Sequence, residues 1–339
     1  MSDAFDPAGP DSPDPVGWRE RLQRISRWRR PSKRVQGILL IVASVGVAIG
    51  VVLSIRTLDV GWQDLRWAPI AAAALLVTPA TIVLNGAELK VMGSIVSRDE
   101  RTLSWGDALR ATLTATAANL LPLPGGALVR ITAIRAVGVS TSSATVVNLV
   151  GAGLWVAMAM LVAAVAGAGL APWWAVGVAA ALGLAGLVVS LGMIHRLTGG
   201  QGAVRATATL SLVELATAVV HGLRLWLMAL ALGLVVSVQQ GLTLSAGAPL
   251  AKAAGIFPAG LGLAEALTAL VAVLVGLPAA AGFTVTALGR VVGLVAAAPI
   301  TLYYGITDLR RQRHQAPDPT QAPATDRAAA EPADPHEPT

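Results

Sequence analysis

The stretch DALRATLTATAANLLPLPGGALVRITAIRAV (107–137) is apolar along most of its length, yet it breaks in the middle at Leu-Pro-Leu-Pro-Gly-Gly (121–126). A second stretch, AGAPLAKAAGIFPAGLGLAEALTALVAVLVG (246–276), breaks in the same manner at Phe-Pro-Ala-Gly-Leu-Gly (257–262). Each half is too short to cross a membrane, which takes roughly 20 helical residues for about 30 Å of hydrocarbon. Proline has no backbone N–H and glycine loosens the chain, so each break frees polar backbone groups that cannot face lipid and must line protein or water. Both stretches read as re-entrant helical hairpins. The alternatives are a pair of short spans in each place, or one kinked span in each, which makes eight spans in all.

Outward from the two breaks the chain holds longer apolar runs. Length and breaker residues predict six full spans at about 36–55, 68–97, 142–169, 172–194, 206–235 and 283–306. The composition agrees, since 55% of the 339 residues are hydrophobic and only 13% charged, a balance that exceeds what one soluble core needs. The expectation is an all-α, polytopic transmembrane helical bundle of six spans and two hairpins, over residues 36–306.

Charge sets the orientation. Arg19, Arg21, Arg24, Arg27, Arg29, Arg30, Lys33 and Arg34 crowd the segment before the first span, where attraction to anionic headgroups holds them on the cytoplasmic side. Six spans and two hairpins then place Arg98, Arg101, Arg130, Arg135, Arg196, Arg205, Arg310, Arg311 and Arg313 on or near that side, and leave only Arg56 and Arg66 outside. The expected location is the plasma membrane, with both termini cytoplasmic. Residues 1–35 and 307–339, rich in Pro, Ala and charge, are expected to be disordered. Trp62, Trp67, Trp105, Trp173 and Trp174 fall near span ends, as interfacial anchors do. The order of span, span, hairpin, span repeats from residue 172 with three crossings per half, so the halves enter from opposite faces as an inverted repeat.

Several chemistries have no support. The chain has no cysteine, and its histidines at 195, 221, 314 and 336 lack metal-ligand spacing, so neither a metal nor a cofactor is expected. A phosphate-binding Gly-rich loop of the nucleotide-hydrolase type is missing from the sequence. A nucleic-acid partner is not expected, because no folded reader or aromatic platform accompanies the basic segment.

Ionisable residues at membrane depth cost at least about 2.5–3.5 kcal/mol each, so they face a partner or a cavity. The candidates are Glu88, Arg130, Glu214, Arg224, Lys252, Glu265 and Arg290. Glu214, Thr217, His221 and Arg224 fall at i, i+3, i+7 and i+10 and share one helical face. That stripe is either a structural network between helices or the lining of a path. Thr112, Thr116 and Asn119 share a face that leads into the first break, and Lys252 and Glu265 flank the second. Half-helices starting near Gly126 and Gly262 would present free N–H groups suited to a phosphate or carboxylate.

The motifs themselves resemble a family. AANLLPLPGGALVR (117–130) resembles the Asn…Pro-Gly…Gly…Arg segment of the lysylphosphatidylglycerol synthase transmembrane region, a family of flippase-like integral membrane proteins. FPAGLGLAE (257–265) is similar to that family's second signature, Pro-x-Gly-Leu-Gly-x-x-Glu, and LNGAELK (84–90) is a weaker third match. The resemblance spans roughly 36–306. By position it assigns Asn119, Pro124, Gly125, Gly126 and Arg130 to the first signature, and Pro258, Gly260, Gly262 and Glu265 to the second. Ala127 stands where many relatives place an acidic residue.

What the resemblance implies is movement of a phospholipid or lipid-linked headgroup between leaflets. In the headgroup site so expected, Arg130, Lys252 and Arg290 meet phosphate, while Glu88 and Glu265 meet an amine or hold the cations. The soluble synthase domain of some members has no counterpart after the last span, so the chain is not expected to be an enzyme. A different class of function is a non-catalytic subunit that docks a membrane partner, a glycosyltransferase or lipid synthase, through the basic arm. A membrane-embedded transferase using Glu88 or Glu265 as acid or base ranks last, because no paired-carboxylate spacing supports it.

Overall fold

The computed structural model describes residues 49–50, 52–53, 56–58, 61–97, 102–118, 125–254 and 260–315. These residues form helices and connecting turns, with no strand among them. In chain order the main helices are α1 (Trp67–Val96), α2 (Trp105–Ala118), α3 (Gly125–Arg135), α4 (Thr141–Gly167), α5 (Trp173–Thr198), α6 (Ala203–Ala231), α7 (Val238–Leu244), α8 (Gly247–Ala254), α9 (Leu263–Leu274) and α10 (Ala279–Gln315). Five of them, α1, α4, α5, α6 and the Ala279–Tyr304 part of α10, are long and apolar enough to cross a membrane. They fall on five of the six expected spans. Almost all of the first, 36–55, lies outside the described residues, as do residues 1–35, Asn119 and Pro258.

The surface of the bundle is what a lipid solvent demands. Leu75, Leu76, Val165, Val188, Val189, Leu212, Val295 and Leu302 point outward, while Glu88, Glu214 and Glu265 are buried. A soluble protein would reverse this distribution. Trp67, Trp105, Trp173 and Trp174 are exposed at helix starts, as expected of interfacial anchors.

Two boundaries differ from the sequence reading, and one span carries an internal irregularity. Residues 236–245, which separate the expected span 206–235 from the second broken stretch, contain α7, because Ser237 and Gln240 form a reciprocal cap. The Gln240 N–H donates to Ser237 Oγ (3.1 Å), and the Ser237 N–H donates to Gln240 Oε1 (2.9 Å). Helix α10 runs on to Gln315 rather than ending at 306, so the first residues of the segment expected to be disordered from 307 are helical. Beyond Pro299 that end contains no Pro and only Gly305, so little stops the helix. Helix α1, finally, widens to a π-turn at Ala73–Val77, with Thr78 Oγ1 donating to the Ala73 carbonyl at 3.2 Å. Pro79 is the cause, since it lacks an N–H and its ring crowds the carbonyl four residues back.

The short helices come in pairs. Ala118 at the end of α2 lies against Gly125 at the start of α3, where any Cβ would approach the Ala118 carbonyl oxygen to 2.7 Å. Helix α9 runs back along α8, with Gly247 against Thr268 and Gly260 against Ala251. Packing between the halves is reciprocal. Helix α2 packs on α10 and α8 packs on α4, while the long helices α1 and α6 pack on each other.

Glycine and alanine set the helix spacing, since lipid supplies no hydrophobic drive between helices and close backbone approach must take its place. At the crossing of α6 and α7, a Cβ on Gly222 would sit 2.8 Å from Leu242 Cα. Gly222→Val is therefore expected to destabilise the fold by about 1–3 kcal/mol, an overpacking cost. Reversible SDS titration of the variant beside the wild type checks this.

Candidate functional site

Eight side chains from α1, α3, α6, α8, α9 and α10 meet inside the bundle: Glu88, Arg130, Glu214, His221, Arg224, Lys252, Glu265 and Arg290. They are the charged candidates of the sequence together with His221. The helix spacing set by small residues brings them to one place, although up to about 200 residues of sequence separate them.

Two ion pairs anchor the cluster, one at each break. Arg130, in the second turn of α3, pairs through Nη2 with Glu88 Oε1 on α1. Glu265, in the first turn of α9, pairs through Oε1 with Arg290 Nε on α10 at 3.0 Å. The Glu265 geometry follows from the chain break itself. Gly262 caps α9 in a backbone conformation with φ 80° that side chains disfavour, and its N–H donates to Glu265 Oε2 at 2.8 Å. Gly260, with φ 66°, makes the preceding turn. Glu265 is thus held by the turn on one oxygen and by a cation on the other, with no exposed surface.

The stripe on α6 divides. The Thr217 hydroxyl donates to the Val213 carbonyl (2.9 Å) and is spent within its own helix. Arg224 reaches α1, where Nη2 donates to Thr81 Oγ1 at 2.9 Å, a turn beyond the π-segment. Gly289 and Gly293 of α10 leave the room its side chain fills. Among the described residues His221 Nε2 and Glu214 Oε1 are buried without a hydrogen-bond partner. Glu214, 1% exposed, lies close to Glu88.

Lys252 lies at the centre of the positive charge, in range of Arg290, Arg130 and Arg224 as well as Glu88. Its Nζ sits 4.4 Å above the ring of Trp155 on α4, a cation–π contact. Among the described residues no carboxylate stands within salt-bridge distance of it or of Arg224. Lys252 keeps exposed surface.

Burial differs by sign of charge. All three carboxylates are buried, Glu265 and Glu214 almost completely, whereas Arg130, Arg224, Lys252 and Arg290 all keep accessible surface. Two of the four cations, Arg130 and Arg290, are paired with buried carboxylates. Among the described residues no set of three His, Asp or Glu side chains could hold a metal ion.

Of the polar face ahead of the first break, Asn119 lies outside the described residues, and the Thr116 hydroxyl stays within its helix. Thr116 donates to the Thr112 carbonyl at 2.9 Å, and Thr112 is buried. Gly126 is buried at the start of α3. Three features of the cluster escaped the sequence reading: the closeness of Glu88 to Glu214, the Thr81 partner of Arg224, and Trp155 beneath Lys252. Each joins residues far apart in the chain, and only the Pro79 punctuation near Thr81 marks any of them locally.

No protein-family model matches the chain, and no curated protein matches it in sequence. The bundle and its charged interior therefore carry the functional argument on geometry alone.

Proposed function

We propose that this chain is a lipid translocase of the plasma membrane, which draws a phospholipid or lipid-linked headgroup into the charged interior and passes it between leaflets. The observation that carries the reading is the contrast of burial within the cluster: the cations keep accessible surface, and the carboxylates are buried. A charge at membrane depth costs free energy, and an excess of cations there is best explained by an anion that visits. The phosphate of a headgroup is the anion a membrane supplies. Arg130, Lys252 and Arg290 meet the phosphate, and Glu88 and Glu265 hold the arginines in position.

In this reading the α2–α3 and α8–α9 pairs are re-entrant hairpins whose breaks meet near the midplane, between six full spans. The reciprocal packing of α2 on α10 and α8 on α4 supports an inverted repeat, the architecture that sets a binding site between broken helices and lets one half rock against the other. The basic segment before the first span holds the N-terminus at the cytoplasmic face.

Leaflet exchange tests the function. Liposomes carrying the purified protein and fluorescent phosphatidylglycerol are treated with a reductant that bleaches only the outer leaflet. Wild-type protein is expected to bleach the inner pool as well, and Arg130→Ala to slow this by tenfold or more, since a hydrogen bond to a charged group contributes about 1.5–3 kcal/mol. Exchange equal to that of empty liposomes, from folded wild-type protein with every phospholipid tried, overturns the reading.

A further inference from the structure

A cavity opens at one end of the bundle, where three membrane-length helices finish together. Helix α1 stops at Val96, α5 stops at Thr198, and α6 starts at Ala203 after the short turn at 199–202. The cavity between them measures about 700 Å³, within the range of sites that hold a small organic ligand. None of the eight residues of the charged interior lines it. Its rim is open, since a Cβ at Gly199 or Gly202 would meet nothing within 4 Å.

The lining carries one sign of charge. Arg196 from the last turn of α5 and Arg205 from the first turn of α6 both line the cavity, and among the described residues no Asp or Glu does. Nor does any carboxylate among them stand within salt-bridge distance of either arginine. The ends of α1 and α5 bring about half a negative charge each and the start of α6 about half a positive one, so two guanidinium groups leave the cavity net positive. The hydroxyls of Ser94, Thr198 and Thr209 are spent on carbonyls of their own helices, at 2.7, 3.0 and 2.9 Å. Ser97, which lines the same cavity, has its Oγ buried without a hydrogen-bond partner among the described residues, a state that costs free energy unless a ligand or water relieves it. Arginines that only orient a chain in the membrane need neither a shared cavity nor an orphaned hydroxyl in its wall.

We propose that this cavity binds a phosphate group, with Arg196 and Arg205 on its oxygens and Ser97 Oγ as a further donor. Guanidinium forks match phosphate geometry, and two of them from different helices can hold it from two directions. A phospholipid headgroup is the expected source of the phosphate. The cavity sits where membrane-length helices end, and Val188 and Leu191 on α5 and Val204 on α6 are exposed and apolar, so acyl chains can run along those helices while the headgroup stays in the cavity. A free phosphate is the other source of the same chemistry. Both arginines are exposed to solvent, so added salt screens them and weakens binding. The site uses no residue of the interior cluster, and it stands or falls apart from the translocase reading.

Protection of a single thiol tests the site. The chain has no cysteine, so Gln201→Cys, at an exposed position in the cavity wall, supplies the one reactive group. Its rate of labelling by a small neutral maleimide is measured on the full chain in detergent, with and without short-chain phosphatidylglycerol or inorganic phosphate. Lipid is expected to slow the labelling, and adding Arg196→Gln and Arg205→Gln is expected to raise the lipid concentration required by about tenfold or more, as the loss of two charged donors demands. Slowing by lipid but not by phosphate at equal concentration makes a headgroup the ligand, and slowing by phosphate makes the phosphate group alone sufficient. Labelling that neither ligand slows overturns the site, and so does lipid protection undiminished by the two arginine substitutions. Salt gives a check that needs no arginine variant: protection of Gln201→Cys is expected to weaken as ionic strength rises, and protection indifferent to salt contradicts a site built on exposed arginines.

Discussion

Replacing Glu265 with alanine is expected to destabilise the bundle by about 3 kcal/mol, the low end of the roughly 3–5 kcal/mol lost when one member of a buried ion pair is removed. The low end applies because Arg290 keeps 26% of its side chain accessible, so water reaches part of the charge that loses Glu265. Two interactions disappear together. Arg290 loses the carboxylate 3.0 Å from its Nε, and the Gly262 N–H loses its acceptor at the turn that starts α9. The break between α8 and α9 is therefore expected to loosen along with the ion pair. A double variant, Glu265→Gln with Arg290→Gln, removes both charges and keeps an acceptor near Gly262. It is expected to recover most of the loss, and SDS titration of the single and double variants reads the difference directly.

Lys252→Met is expected to do the opposite, leaving stability intact or raised while lowering affinity for phosphatidylglycerol about tenfold. A lone cation at membrane depth costs at least about 2.5 kcal/mol, and the contact with Trp155 returns only about 0.5–2 kcal/mol. No carboxylate within salt-bridge distance is stranded by its removal among the described residues, and methionine preserves the apolar stem over the indole. A residue that destabilises its own fold and keeps accessible surface has a ligand as its natural counterpart. Binding measured beside an unfolding titration separates this outcome from a structural role, for which affinity and stability would fall together.

The two variants sort the cluster by what each charge faces, and that sorting was only half legible in the sequence. Span positions were readable, because twenty apolar residues in a row admit few other meanings, and α1, α4, α5, α6 and α10 lie where hydropathy put them. The turn that leads into α9 was readable too, since Gly260 and Gly262 supply the backbone freedom it uses; residues 119–124 of the first break lie outside the described residues. Helix ends were harder. The connection at 236–245 concealed α7, although Ser237 and Gln240 carried the capping signature in plain view. The end of α10 was hidden because disorder and a charged, solvated helix have similar composition.

Partnerships were the least visible. Glu88, Arg130, Glu265 and Arg290 were singled out by their cost in lipid, but nothing local told which acid meets which base. The spacing rules that find ion pairs work within one helix, whereas Glu88 meets Arg130, and Glu265 meets Arg290, through contacts between helices. The stripe on α6 illustrates the limit. Its four polar residues share a face as the period requires, yet Thr217 turns back on its own backbone while Arg224 crosses to α1.

The most direct measurement of the central claim is photo-crosslinking with a phosphatidylglycerol that bears a diazirine on its headgroup, in membranes containing the full chain, mapped by mass spectrometry. Adducts on α3 around Arg130, on α8 around Lys252 and on α10 around Arg290, lost in competition with unlabelled lipid, are the expected result. Adducts confined to the outward residues, such as Leu75 or Val188, with none on those three segments, would contradict an interior headgroup site.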